Sequence, residues 1–162
     1  MICQTHATTS LTASAIRLST AGDEDCRAGR LEQAYSKYLQ VKVSFEVILE
    51  RDGVTPAALR DLRVSLGRLG DMERVGGNLD AAYARFEQQL DIYRKILALT
   101  GETPEALRDL CVSLARLGDV ERARGQLDAA YGRYEQLSRR HPQDPDADRR
   151  DAPGAAGLER QP

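Results

Sequence analysis

The chain repeats itself every 48 residues. Residues 55–90 read TPAALRDLRVSLGRLGDMERVGGNLDAAYARFEQQL and residues 103–138 read TPEALRDLCVSLARLGDVERARGQLDAAYGRYEQLS, identical at 25 of 36 positions. A period of this length marks a supersecondary unit that hides its apolar face by stacking on copies of itself. A weaker third copy lies upstream: shifted by 48, Gly22, Asp23, Gly29, Leu31, Ala34 and Tyr35 fall on Gly70, Asp71, Gly77, Leu79, Ala82 and Tyr83. Before Gly22 only Leu11, Ile16 and Leu18 keep an apolar match.

Each unit reads as two helices. Leu59, Leu62, Leu66 and Leu69 recur at steps of three and four, as do Leu107, Leu110, Leu114 and Leu117, which lays one apolar stripe along an α-helix. Thr55 and Thr103 are N-cap residues, and Pro56 and Pro104 follow at the first helical position, where a missing N–H is harmless. These first helices stop at Gly76-Gly77 and at Gly125. The second helices start at Leu79 and Leu127, with Asp80 and Asp128 favourably placed against the helix dipole. The stripe of Leu79, Ala82, Tyr83, Phe86, Leu90, Tyr93 and Leu97 runs to about Leu99 and breaks at Thr100-Gly101. Gly70 and Gly118 sit inside first helices, where glycine costs ~1 kcal/mol relative to alanine. Their repetition predicts close approach of another helix, with Ala82 and Ala130 on the facing side.

The pattern Leu66-x2-Leu69-Gly70-x2-Glu73-x3-Gly77-x4-Ala82-x3-Phe86 resembles the core of the tetratricopeptide repeat (TPR), and Leu114 to Tyr134 repeats it. The upstream unit carries Leu18, Ala21, Gly22, Gly29, Ala34 and Tyr38 at the same offsets, so the likeness covers roughly residues 10–140. Two features depart from the family. An aromatic usually stands where this chain has Glu73 and Glu121, and the usual period is about 34 residues. The longer unit is similar to those of kinesin-light-chain-like arrays. The resemblance implies an all-α protein, an α-solenoid of about three stacked antiparallel helical hairpins. Residues 1–10 are expected as a flexible N-terminus and residues 11–140 as the array, with units at about 11–54, 55–102 and 103–140. Residues 141–162, rich in Pro, Asp, Arg and Gly, are expected to form a disordered tail.

Bulk properties exclude several function classes. A net charge of −2 with both signs mixed argues against a nucleic-acid binder that works through bulk positive charge. No run of about 18 apolar residues is present, so no transmembrane helix is expected. Cys3, Cys26 and Cys111 form no CxxC pair, which fits a reducing, cytoplasmic setting and neither a disulfide framework nor a zinc site. His6 and His141 have no partner at ligand or triad spacing, and Cys111 stands where the other copy has Arg63. The Asp23-Glu24-Asp25 cluster lacks EF-hand spacing, and no Gly-rich phosphate loop appears. No catalytic residue, cofactor or metal is expected.

One polar constellation repeats. Arg68, Asp71 and Arg74 step by three along one helix, and Arg116, Asp119 and Arg122 do the same along its copy. Steps of three set them on one face with alternating charge, suited to mutual ion pairs. By resemblance to the TPR family this helix lines the concave groove that holds peptide segments, which makes these six residues the candidate partner-binding groove. The family's clamp for a C-terminal carboxylate is not expected, because Gly67, Asp71, Ala115 and Asp119 stand at its Lys and Asn positions.

The expected function is therefore a non-catalytic protein–protein interaction module that binds a protein or peptide segment, with no nucleic-acid or membrane partner. The alternative is a regulatory or sensor fragment of a larger TPR-containing signalling or transcription-linked protein. The last helix should carry the stripe Leu127, Tyr131, Tyr134 and Leu137 with no following unit to cover it. Docking on a second copy as a homo-oligomer, cover by the tail, and membership of a longer array all remain open for this end.

Overall fold

The computed structural model describes the backbone of residues 2–101 and 103–140, and the side chains of 9–136 apart from 102 and 105. The described chain is all-helical: α1 (Ile2–Arg27), α2 (Leu31–Asp52), α3 (Pro56–Val75), α4 (Leu79–Thr100), α5 (Pro104–Ala123) and α6 (Leu127–Arg140). The expected helix start near Leu11 falls inside α1, whose helical backbone begins at Ile2. The expectation for residues 141–162 lies outside the described residues.

The helix boundaries follow from local chemistry. Thr55 Oγ1 accepts a hydrogen bond from the Ala58 N–H at 3.2 Å, and Thr103 Oγ1 accepts one from the Ala106 N–H at 3.1 Å. Proline follows each cap. Asn78 caps α4 in the same way, through the Ala81 N–H at 3.3 Å. Gly29, Gly53, Gly77, Gly101 and Gly125 have φ between +74° and +88°, one at each helix connection and 24 residues apart. At Gly77 the turn closes with Gly77 N–H to Arg74 C=O at 3.1 Å and Asn78 N–H to Glu73 C=O at 2.8 Å. Gly125 and Gln126 repeat both bonds, to Arg122 and Glu121. This pair of bonds is the Schellman arrangement, which satisfies the last carbonyls of a helix. Each connection is only three residues long. Such short links oblige consecutive helices to run antiparallel.

Each helix packs on its neighbours in sequence, more closely within the hairpins α1–α2, α3–α4 and α5–α6 than between them. Within each hairpin an aromatic ring of the second helix lies against a glycine of the first. A Cβ at Gly22, Gly70 or Gly118 would come within 2.9, 2.5 or 3.0 Å of the ring of Tyr38, Phe86 or Tyr134 respectively. The close approach expected at Gly70 and Gly118 is thus present, and the degraded first unit shares it. Ala34, Ala82 and Ala130, on the facing helices, are all buried.

The apolar interior follows the leucine stripes. Leu59, Leu62 and Leu66 of α3 join Val41, Phe45 and Ile48 of α2 and Ile92 and Ile96 of α4 in one cluster. Leu110, Leu114, Leu117 and Val120 of α5 pack with Ala82, Phe86, Leu90 and Tyr93 of α4 in another. The Tyr93 hydroxyl donates to the Ala106 carbonyl, tying α4 to the first turn of α5.

Glu73 and Glu121, where the TPR family usually has an aromatic, are only 8% and 2% exposed. Each carboxylate accepts a hydrogen bond from an arginine twelve residues on, in the facing helix: Arg85 at 3.3 Å and Arg133 at 3.2 Å. In the first hairpin Asp25 takes the same place, bonded by Lys37 and, at 2.8 Å, by Arg30. These cations hold the Asp25 carboxyl below its ordinary pKa. A buried carboxylate such as Glu73 or Glu121 is tolerated only when it is paired. Position 25/73/121 therefore acts as a polar lock inside each hairpin.

Candidate functional site

The six candidate groove residues do not behave as two identical triads. Arg68 leaves its own helix and meets Asp23 of α1 at 3.2 Å. Its counterpart Arg116 meets Asp71 of α3 at 2.8 Å and lies 5.7 Å from the centroid of the Phe86 ring. Both pairs join residues 45 apart, so one ion pair repeats from hairpin to hairpin. A further cross-hairpin pair joins Arg63 to Asp109 at 2.8 Å. Asp119 accepts from the Tyr134 hydroxyl at 2.8 Å, as Asp23 does from Tyr38 at 2.6 Å.

Among the described residues Arg74 and Arg122 pair only within their own helices. Each has a single ion-pair partner among the described residues, one turn back on its own helix: Asp71 at 4.0 Å and Asp119 at 3.5 Å. The alternating-charge face expected along α3 and α5 is therefore divided in function. Arg68, Asp71 and Arg116 tie α1, α3 and α5 to one another, while Arg74 and Arg122 reach no other helix through an ion pair among the described residues.

A second feature was not anticipated. A cleft of about 630 Å³ opens between the start of α2 and the end of α3, lined by Cys26, Leu31, Glu32, Tyr35, Asp71, Met72, Glu73, Val75 and Gly76. Val75 and Leu31 are 73% and 49% exposed on its rim. The Tyr35 hydroxyl donates to Glu73 at 2.8 Å, which fixes the ring at the cleft wall. Burial, together with the Glu73 carboxylate, raises the pKa of this hydroxyl, so it stays protonated well above neutral pH. Asp71 and Glu73 are already paired with Arg116 and Arg85. Glu32 has no hydrogen-bond or ion-pair partner among the described residues, and so supplies the cleft's uncompensated negative charge.

The same place in the next junction, between α4 and α5, differs at one decisive position. Gly76 is replaced there by Arg124. The Arg124 guanidinium lies 4.9 Å from the centroid of the Tyr83 ring and 2.9 Å from Asp80. Tyr83 and Asp80 are the counterparts of Tyr35 and Glu32. Among the α3 residues lining the cleft the copies differ at 72, 75 and 76, and the change at 76 acquires meaning once the tyrosine facing it is known.

A smaller cavity of about 120 Å³ lies among Ile16, Ser19, Thr20, Val41, Phe45, Asp61 and Val64. Burial raises the Asp61 pKa. Asp61 has no ion-pair partner among the described residues, whereas its repeat counterpart Asp109 is paired with Arg63. On α6, Leu127 and Tyr131 are 66% and 71% exposed, and the Leu137 side chain lies outside the described residues. Cys26 and Cys111 are free thiols. No group of three or more His, Cys, Asp or Glu able to hold a metal ion occurs among the described residues. No described helix is long and apolar enough to cross a membrane. Comparison with known proteins yields no match to a family model, a curated protein or a solved structure.

Proposed function

We propose that the chain is a non-catalytic protein–protein interaction module, a short TPR-like α-solenoid that holds a peptide or protein segment against its first-helix face. The observation that carries this reading is the ion pair repeated at a spacing of 45 residues, Asp23 with Arg68 and Asp71 with Arg116. A pair of that spacing links α1 to α3 and α3 to α5, and so supports a reading in which the first helices share one polar face. Arg74 and Arg122 stand on that surface with only a same-helix carboxylate for company. An arginine in this position can hold a carboxylate of a partner through two parallel hydrogen bonds. The working location on this reading is the cytoplasm, where the free thiols stay reduced.

The test is affinity capture from the native host with the full chain and with the Arg74→Glu/Arg122→Glu double variant. The expected outcome is loss of specific partners with an unchanged far-ultraviolet circular dichroism spectrum. An unaltered set of captured partners would remove Arg74 and Arg122 from the binding surface.

A further inference from the structure

The two junctions between hairpins place a tyrosine and an acid at the same positions and differ in whether an arginine lies on them, although the Tyr35 hydroxyl donates to Glu73 across its junction and that of Tyr83 to Glu87 on its own helix. At the α4–α5 junction the chain supplies its own: Arg124 stacks on Tyr83 and pairs with Asp80. At the α2–α3 junction the receiving groups are kept, with Tyr35 for Tyr83, Glu32 for Asp80 and Leu31 for Leu79, but glycine stands where the arginine would start. The backbone is nearly the same at the two positions, with φ −73° and ψ 0° at Gly76 against φ −82° and ψ −1° at Arg124. The negative φ means that the turn does not require glycine at position 76. The ring and the acid remain beside a cleft of about 630 Å³. That volume lies in the range of about 300–1,000 Å³ typical of ligand sites.

We propose that the α2–α3 cleft receives an arginine side chain of a partner peptide, with the guanidinium stacked on Tyr35 and paired with Glu32. Charge complementarity selects a cation, because Asp71 and Glu73 are already paired and Glu32 is not. Geometry selects arginine over lysine: a planar guanidinium can lie on a ring and grip a carboxylate through two nitrogens, and an ammonium cannot do both. Leu31, Met72 and Val75 give the cleft an apolar wall. That wall suits an apolar residue next to the arginine, so the occupant is a peptide segment rather than the free amino acid. The inference rests on the reading of the chain as an interaction module and specifies one of its contacts.

The test is a titration of the isotope-labelled full chain, followed by amide chemical shifts, with the capped peptide Gly-Leu-Arg-Leu-Gly. Its lysine and citrulline versions serve as comparisons. The arginine peptide is expected to move amides of residues 31–35 and 72–76. The lysine and citrulline peptides are expected to bind at least about tenfold more weakly, through loss of stacking or of charge. The Gly76→Arg variant should keep its melting temperature and lose binding at least about tenfold, because it copies the filled junction. Glu32→Gln should weaken the arginine peptide toward the level of the citrulline one. Equal binding of the arginine and citrulline peptides, or full binding by Gly76→Arg, would overturn the proposal. So would a cleft whose amides already shift, without peptide, on Arg149→Gln/Arg150→Gln substitution, since the occupant would then be the chain's own tail. Capture experiments separate this failure from that of the wider reading. If Gly76→Arg keeps partners that Arg74→Glu/Arg122→Glu loses, the module stands and the arginine receptor falls; the reverse result keeps the cleft and discards the polar face.

Discussion

A repeated position need not do the same work in every copy, and Asp61 and Asp109 illustrate the point. Asp109 is paired with Arg63 of the preceding hairpin at 2.8 Å. Asp61 would need its arginine at position 15, where Ala15 stands fully buried. Burial therefore raises the Asp61 pKa with nothing to offset it. A carboxyl whose folded pKa exceeds its unfolded value, ordinarily about 4, weakens the fold once pH rises through that range. Below it the group is protonated in both states and has no effect. Asp61→Asn is accordingly expected to raise the melting temperature at pH 7, with the gain disappearing below about pH 4. Thermal melts of the two proteins at both pH values check this, and a loss of stability at pH 7 would show that the carboxylate has a favourable partner.

At the scale of the element, two kinds of glycine must be kept apart. Gly22, Gly70 and Gly118 are helical and are needed for space, since an aromatic ring lies where a Cβ would be. Gly29, Gly77 and Gly125 are needed for conformation, with φ near +80° and nothing within 4 Å of the place where a methyl group would stand. Gly77→Ala is therefore expected to destabilise by about 1–2 kcal/mol, the cost of a left-handed backbone for an L-residue, without disturbing packing. Urea unfolding checks the size, and an effect near zero would mean that the α3–α4 turn relaxes to another shape. Both kinds of glycine were visible in the sequence, because each recurs at the period of the unit. The caps at Thr55 and Thr103 were also visible, since a cap depends on residues no more than three apart. The polar lock at Glu73 and Glu121 was not visible as such. A charged residue in the place of an aromatic looks like a departure until its arginine, twelve residues on, is brought to it by the antiparallel turn.

At the scale of the whole molecule, apolar burial and a thin ladder of charge hold the hairpins together. The Asp71–Arg116 pair spans two hairpins with both side chains about one-third exposed. Partial exposure limits it to about 0.5–1 kcal/mol. A double-mutant cycle with Asp71→Asn and Arg116→Met is expected to return a coupling of that order, reduced in ~1 M salt by screening. No coupling at low salt would show that this pair adds nothing to the apolar contacts of α4 with α5 and to the other polar links between the second and third hairpins, such as Arg63–Asp109 and Arg124–Asp80. The candidate face was only half legible in advance. Stepping by three placed Arg68, Asp71 and Arg74 on one side of a helix. It could not show that Arg68 would pair with Asp23 of α1 while Arg74 paired within its own helix. That choice depends on which neighbour stands beside each side chain, and neighbours 45 residues away leave no local trace.

By itself the sequence determined the helices of the two clear units, most of their ends and their pairing into hairpins. Those features follow from caps, left-handed glycines and stripes whose causes lie within a few residues of their effects, and the 48-residue period states each of them more than once. Only the tertiary structure decided which charges are consumed between hairpins, and that a cleft lies beside Tyr35 at the junction that has Gly76 where the next has Arg124. Both depend on what stands across a junction between helices, and a side chain's partner there is selected by packing in space.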